Sequence, residues 1–276
     1  MTGNLTVNAD AFARSATVLN KNKNKNKNKN KNKNKNKNKN KSGGFDSASQ
    51  IAFGLTPFRE LLRLHHEGNR FAPGVSTVKG DGFFKWQLLP IKPPPGPAET
   101  TAEALVLMGK QNDPTGRKDR REAIERQDTM DLSDFTRPLS IEDAAGYEDT
   151  MALLETVLKI TEYVGLQYKD MFGRTRPSMV NPMLRPMLPV PPHLSYPSNH
   201  SFQCHSIALV FERYFPQHPA TEELHRIAEV VAENREWAGL HYKSDTDAGR
   251  KLAELFLPYL VDACAEQMRA ALAEWQ

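Results

Sequence analysis

Between positions 182 and 197 the chain carries six prolines. Proline fixes φ and has no backbone N–H, so this stretch cannot be a helix or a central strand. It must be a crossing loop, and apolar helical patterns lie on both sides of it. Before it, Leu153, Val157, Ile160 and Val164 recur at steps of four and three, which makes one buried stripe on a long helix read over 143–171. After it, Ser198 is a good N-cap, and Ile207, Val210, Phe211 and Tyr214 follow with helical period. His200 lies on a stripe with Cys204, Ile207 and Phe211, so it is expected to face inward from the first turn.

The remaining patterns are helical too. The stretches 101–111 and 117–130 have helical composition, and the second is charged enough to read as a solvated surface helix. Residues 222–237 place Ile227, Val230 and Val231 on one face. Ser244 with Asp247 resembles a capping box that opens a last helix carrying Leu252, Leu255, Phe256, Tyr259 and Leu260, with a kink expected at Pro258. Thr56-Pro57 reads as the start of an earlier helix with Phe58, Leu61 and Leu62 on one face. Residues 73–97, rich in Gly and Pro around Phe83, Phe84 and Trp86, read as a loop held down by its aromatics. No alternating apolar run is long enough for a sheet. The expected fold class is all-α, a helical bundle.

Composition matters mainly at the N-terminus. Asn20 to Lys41 is a strict Lys-Asn alternation with 11 lysines, and without them the formal charge of +4 becomes −7. The basic pI therefore belongs to the repeat, and charge gives no support to nucleic-acid binding. Residues 1–44 are expected to be a disordered leader, and 45–276 a single domain. The two cysteines, Cys204 and Cys264, sit in apolar helical patterns and read as buried free thiols. No secretory signal and no apolar window long enough for a membrane span is visible, so a soluble, cytoplasmic protein is the expectation, with export left open. The apolar helical surface is compatible with a homodimer.

Three short motifs follow one another across the proline-rich loop: Lys169-x6-Arg176-Pro177, then Pro197-Ser198-Asn199-His200, then Asn234-Arg235-x5-His241-x3-Asp245. Taken singly, each charge would be an ordinary surface group and each histidine an ordinary interior one. His200, His205, His241 and Asp245 could also furnish a metal site, although the arginine-rich set suits an anion better than a cation. As a set, two guanidinium forks, an ammonium, a hydroxyl at a helix start and unsatisfied helix N–H groups suit an oxyanion such as phosphate.

The motifs resemble those of the type 2 phosphatidic acid phosphatase and vanadium haloperoxidase superfamily, which carries Lys-x6-Arg-Pro, Pro-Ser-Gly-His and Ser-Arg-x5-His-x3-Asp. Asn199 stands where that pattern has Gly, and Asn234 where it has Ser. The resemblance covers about residues 141–272 and is nearest to soluble bacterial acid-phosphatase-like members. It implies a metal-independent phosphatase with a phosphohistidine intermediate. His241 is then the nucleophile, Asp245 its orienting acid and His200 the general acid and base. Lys169, Arg176, Ser198, the Asn199 N–H and Arg235 hold the phosphoryl oxygens. The substrate implied is a small phosphorylated molecule, with a lipid phosphate left open. The alternative is a haloperoxidase that needs vanadate, with His241 as the vanadium ligand. Asn199 is expected to add bulk beside the phosphate.

Overall fold

The computed structural model describes residues 85–276, apart from 143 and 144. The expected N-terminal leader, the helix after Thr56 and residues 73–84 of the 73–97 loop lie outside the described residues. Within them the regular structure is helical, with no strand. A 3-10 turn at Lys85–Leu88 precedes α1 (Pro97–Asn112), α2 (Pro114–Arg126), α3 (Ser133–Leu139), α4 (Glu148–Phe172) and α5 (Pro177–Val180). After the proline-rich loop come α6 (Asn199–Tyr214), α7 (Thr221–Trp237), α8 (Lys243–Ala263) and α9 (Ala265–Glu274).

Several ends follow from local chemistry. Pro97 and Pro114 stand in the first turns of α1 and α2, where a missing N–H costs nothing. Asp113 caps α2, its side chain accepting from the N–H groups of Thr115 and Gly116. Gly173, at φ 67°, ends α4 in the left-handed conformation. The expected capping box at Ser244 is displaced. The helix begins at Lys243, and Asp245, its third residue, accepts from the Tyr242 N–H at 3.1 Å. Pro258 lies within α8, and α8 ends at Ala263, with Cys264 between it and α9. Both cysteines are buried.

The stripe of Leu153, Val157, Ile160 and Val164 is buried in the main core with Phe202, Ile207, Phe211, Leu252, Phe256 and Leu260. Trp86 is also buried there, edge-on to Phe256 at 6.2 Å, as expected of an aromatic anchor. The pairing of α6 with α8 positions the site. A Cβ on Gly249 would stand 2.5 Å from the Ser198 carbonyl oxygen, so only glycine lets α8 lie this close to the start of α6. The Ser198 N–H donates to the Asp245 carbonyl at 2.9 Å, and Ser201 Oγ donates to the Thr246 carbonyl at 2.7 Å. The first turns of both helices are thereby joined.

Helix α2 differs from the expected solvated surface helix. Arg117 Nε donates to the Trp237 carbonyl, and Arg120 donates to Asn234 Oδ1 at 3.0 Å. Ile124 is fully buried. The charges of α2 dock it on α7, a use that composition alone does not distinguish from solvation.

Candidate active site

His241 sits two residues before the start of α8, next to its N-cap Tyr242, and is almost wholly buried. Its Nδ1 is 3.0 Å from Asp245 Oδ2, and its Nε2 is 2.9 Å from Arg176 Nη1. A guanidinium can only donate, so Nε2 must be the lone-pair nitrogen and Nδ1 must carry the proton towards Asp245. Burial, followed by the charges of Arg176 and Lys169, pushes the His241 pKa well below its ordinary value. The imidazole is therefore neutral, with its lone pair facing a cation.

Asp245 is fully buried, and four groups donate to its carboxylate. Oδ2 accepts from Ser195 Oγ at 2.5 Å, from the Tyr242 amide and from His241, while Oδ1 accepts from Arg174 Nη1 at 2.6 Å.

Lys169, on the last turn of α4, is buried as well. Its ammonium donates to the carbonyls of Leu194, Ser195 and Pro197 at 3.0, 2.8 and 2.6 Å. All three N–H bonds are thus committed to the loop, and Lys169 acts on the site through its charge and by shaping that loop. Arg176 is tied to the same region. Its Nε donates to the His193 carbonyl, its Nη1 to the Leu240 carbonyl, and its Nη2 lies 3.0 Å from His193 Nδ1. Burial, then Lys169 and Arg176, lowers the His193 pKa to about 3. Because a guanidinium only donates, Nδ1 of the neutral ring accepts from Arg176.

His200 and Arg235 form a second network. His200 Nε2 lies 3.0 Å from the Gln127 carbonyl oxygen, which also accepts from Arg235 Nη1 at 2.9 Å. Arg235 Nη2 donates to the Ile124 carbonyl at 3.2 Å, and its buried Nε has no hydrogen-bond partner among the described residues. Because a carbonyl only accepts, the His200 proton is on Nε2. Burial and the Arg235 charge hold the His200 pKa well below its usual value. His200 is only partly covered, which is less than the inward stripe implies.

Ser198 caps α6, its Oγ accepting from the Ser201 N–H at 3.4 Å. The N–H groups of Asn199 and His200 belong to the first turn, where no preceding carbonyl is available inside the helix. The Asn199 side chain departs from expectation. It turns away from these donors, with Nδ2 bonded to the Glu162 carbonyl and Oδ1 lodged over Gly165 of α4. Its backbone is ordinary helix, so no left-handed conformation is required. Asn234 likewise faces elsewhere, with Nδ2 donating to Gln127 Oε1.

The motif residues fall largely into these two networks, and Arg174, Ser195, His193 and Gln127, which the motifs do not name, join them. Arg174 and Ser195 lie beside motif residues, and their polarity was a usable signal. Gln127 acts through its carbonyl, for which side-chain identity carries none. Among the described residues no group of three His, Cys, Asp or Glu side chains is placed to hold a metal ion.

The site is thus a helical frame around buried cations and a histidine held at both ring nitrogens. No protein family and no curated protein matches the chain by sequence. Among solved structures, it is similar to a transmembrane PAP2-type phosphatidylglycerolphosphate phosphatase from Bacillus subtilis. The TM-score is 0.45 and the identity 18%, over 78% of this chain and 95% of that one. No helix among the described residues is long and apolar enough to cross a membrane.

Proposed function

We propose that this chain is a phosphatase of the type 2 phosphatidic acid phosphatase superfamily, transferring a phosphoryl group from a phosphomonoester to His241 and then to water. The observation that carries the reading is the placement of His241 between Asp245 at Nδ1 and Arg176 at Nε2. A neutral imidazole whose lone pair faces a buried guanidinium is a nucleophile aimed at an anion site.

In the first step the Nε2 lone pair attacks phosphorus. The P–N bond forms, the ester P–O bond breaks, and His200 gives its proton to the departing oxygen. In the second step His200 takes a proton from water as the new P–O bond forms and the P–N bond breaks. Nε2–H of His200 is held by the Gln127 carbonyl, which leaves Nδ1 as the nitrogen that exchanges the proton. Asp245 stabilises the imidazolium character that His241 acquires. Arg176, the unpaired Nε of Arg235, the Ser198 hydroxyl and the N–H groups of Asn199 and His200 supply donors for the three equatorial oxygens. Lys169 contributes charge. The scheme uses no metal.

The test is turnover of an aryl phosphate by the wild-type chain and by His241→Ala, with the phosphoenzyme trapped during turnover. An acid-labile, base-stable phosphoprotein that disappears with His241→Ala is expected, as is inhibition by orthovanadate. Undiminished turnover by His241→Ala would overturn the reading. Peroxide-dependent halide oxidation appearing with vanadate would replace it by haloperoxidase chemistry.

A further inference from the structure

We propose that Arg174 is a positioning residue for the nucleophile, keeping Asp245 ionised and in place so that His241 is held as the Nδ1–H tautomer. This rests on the phosphohistidine reading above. Arg174 lies inside the first motif, two residues before Arg176, at a position the motif leaves open.

A carboxylate with no exposed surface needs compensation for its lost hydration. Three of the four donors to Asp245 are neutral: the Ser195 hydroxyl, the Tyr242 amide and the His241 imidazole. The fourth is Arg174 Nη1, at 2.6 Å from Oδ1, the one cation in direct contact with this carboxylate among the described residues. Burial pushes the Asp245 carboxyl up. Arg174 is the strongest of the groups that pull it back, ahead of Ser195, Lys169 and the Tyr242 amide.

Arg174 is itself held on several sides. Nη2 donates to Glu103 Oε2 at 2.8 Å and to Thr100 Oγ1 at 3.0 Å, both on α1. Nη1 also reaches Ser244 Oγ at 2.7 Å, and the guanidinium lies 3.9 Å from the centroid of the Tyr242 ring. Glu103 accepts in addition from the Ser244 N–H at 2.8 Å. Two carboxylates thus share one guanidinium. Glu103 sets how much of the Arg174 charge is felt by Asp245, and Asp245 sets the basicity of His241. A clasp that only joined α1 to α8 would have no need to end on the carboxylate that orients the nucleophile.

The experiment titrates His241 by imidazole ¹⁵N NMR in the full chain and measures pH–rate profiles on an aryl phosphate, for wild type, Arg174→Met, Arg174→Lys and Glu103→Gln. Removing the cation leaves Asp245 more basic and an imidazolium at His241 better tolerated. Arg174→Met is therefore expected to raise the His241 pKa and the acid limb of the profile by about one unit. Its kcat should fall about 10- to 100-fold, with KM within about threefold. Arg174→Lys should recover part of both. Glu103→Gln releases Arg174 to Asp245 and should move the acid limb in the opposite direction, which keeps the idea testable if Arg174→Met does not fold.

A folded Arg174→Met with wild-type tautomer, pKa and kcat overturns the proposal, and so does a Glu103→Gln variant with no shift. If the wild-type chain hydrolyses no phosphomonoester, the functional reading fails, while the NMR titration still decides whether Arg174 governs His241.

Discussion

A Cβ placed on Gly165 would stand 1.7 Å from Oδ1 of Asn199. The asparagine at the start of α6 is thus accommodated by a glycine on α4, away from the first N–H groups of that helix. Gly165→Ala should therefore overpack this contact and cost about 1–3 kcal/mol. Adding Asn199→Gly to it should recover most of the loss, as a thermal-denaturation cycle would show. Asn199→Gly alone should leave KM within about twofold. A marked fall in KM would mean that the side chain does crowd the substrate.

Lys169 should behave as a structural cation. Lys169→Met would strand three carbonyls of the 194–197 segment, each at about 1–3 kcal/mol. A large drop in Tm should accompany the lost activity. An inactive variant with wild-type Tm would show instead that Lys169 serves the phosphate directly.

Arg176 and Arg235 should report on the transition state. Arg176→Ala is expected to lower kcat/KM by about 10²–10³, as for loss of one preorganised oxyanion donor. Arg235→Lys keeps the charge and loses the planar fork, and should cost about tenfold or more. An effect below about threefold at either position would place that side chain outside the pocket.

Activity should favour acid pH. The mechanism needs His241 neutral and His200 protonated, and both pKa values are held well below 6.5. The protonated fraction of His200 falls as pH rises, so kcat/KM should decline from below pH 6.5 through neutrality. A profile that rises steadily to pH 8 would rule out His200 as the acid.

Stability should run the other way. A histidine whose folded pKa is depressed binds fewer protons folded than unfolded below pH 6.5. Its contribution is complete above the unfolded pKa and is lost as pH falls towards the folded one. Denaturant midpoints should therefore drop between pH 6.5 and 4.5, and His200→Gln should flatten that dependence. Orthovanadate at about 100 times its Kd should restore about 2.7 kcal/mol. A midpoint independent of pH over this range would contradict the buried neutral histidines.

Much of this was readable from one-dimensional pattern. Apolar spacing around Val157 and Ile160, the proline run before Ser198 and the end at Gly173 are local, because helix periodicity and proline geometry act within a few residues. The motif residues stand out in the sequence for a related reason: the proposed oxyanion chemistry calls for particular side-chain types at particular helix ends. The seven-residue α3 passed unnoticed, being too short for a period to show and carrying Pro138 within it.

What remained depended on which surfaces meet. Nothing in the sequence told that Lys169 spends its donors on a loop, or that Asn199 turns to Gly165. Nor did it place the carbonyl of Gln127 between His200 and Arg235, or Glu103 behind Arg174. These are contacts between residues far apart in the chain. Their partners are often backbone atoms that every residue possesses, so side-chain identity chose the chemistry and packing chose the direction in which each group faces.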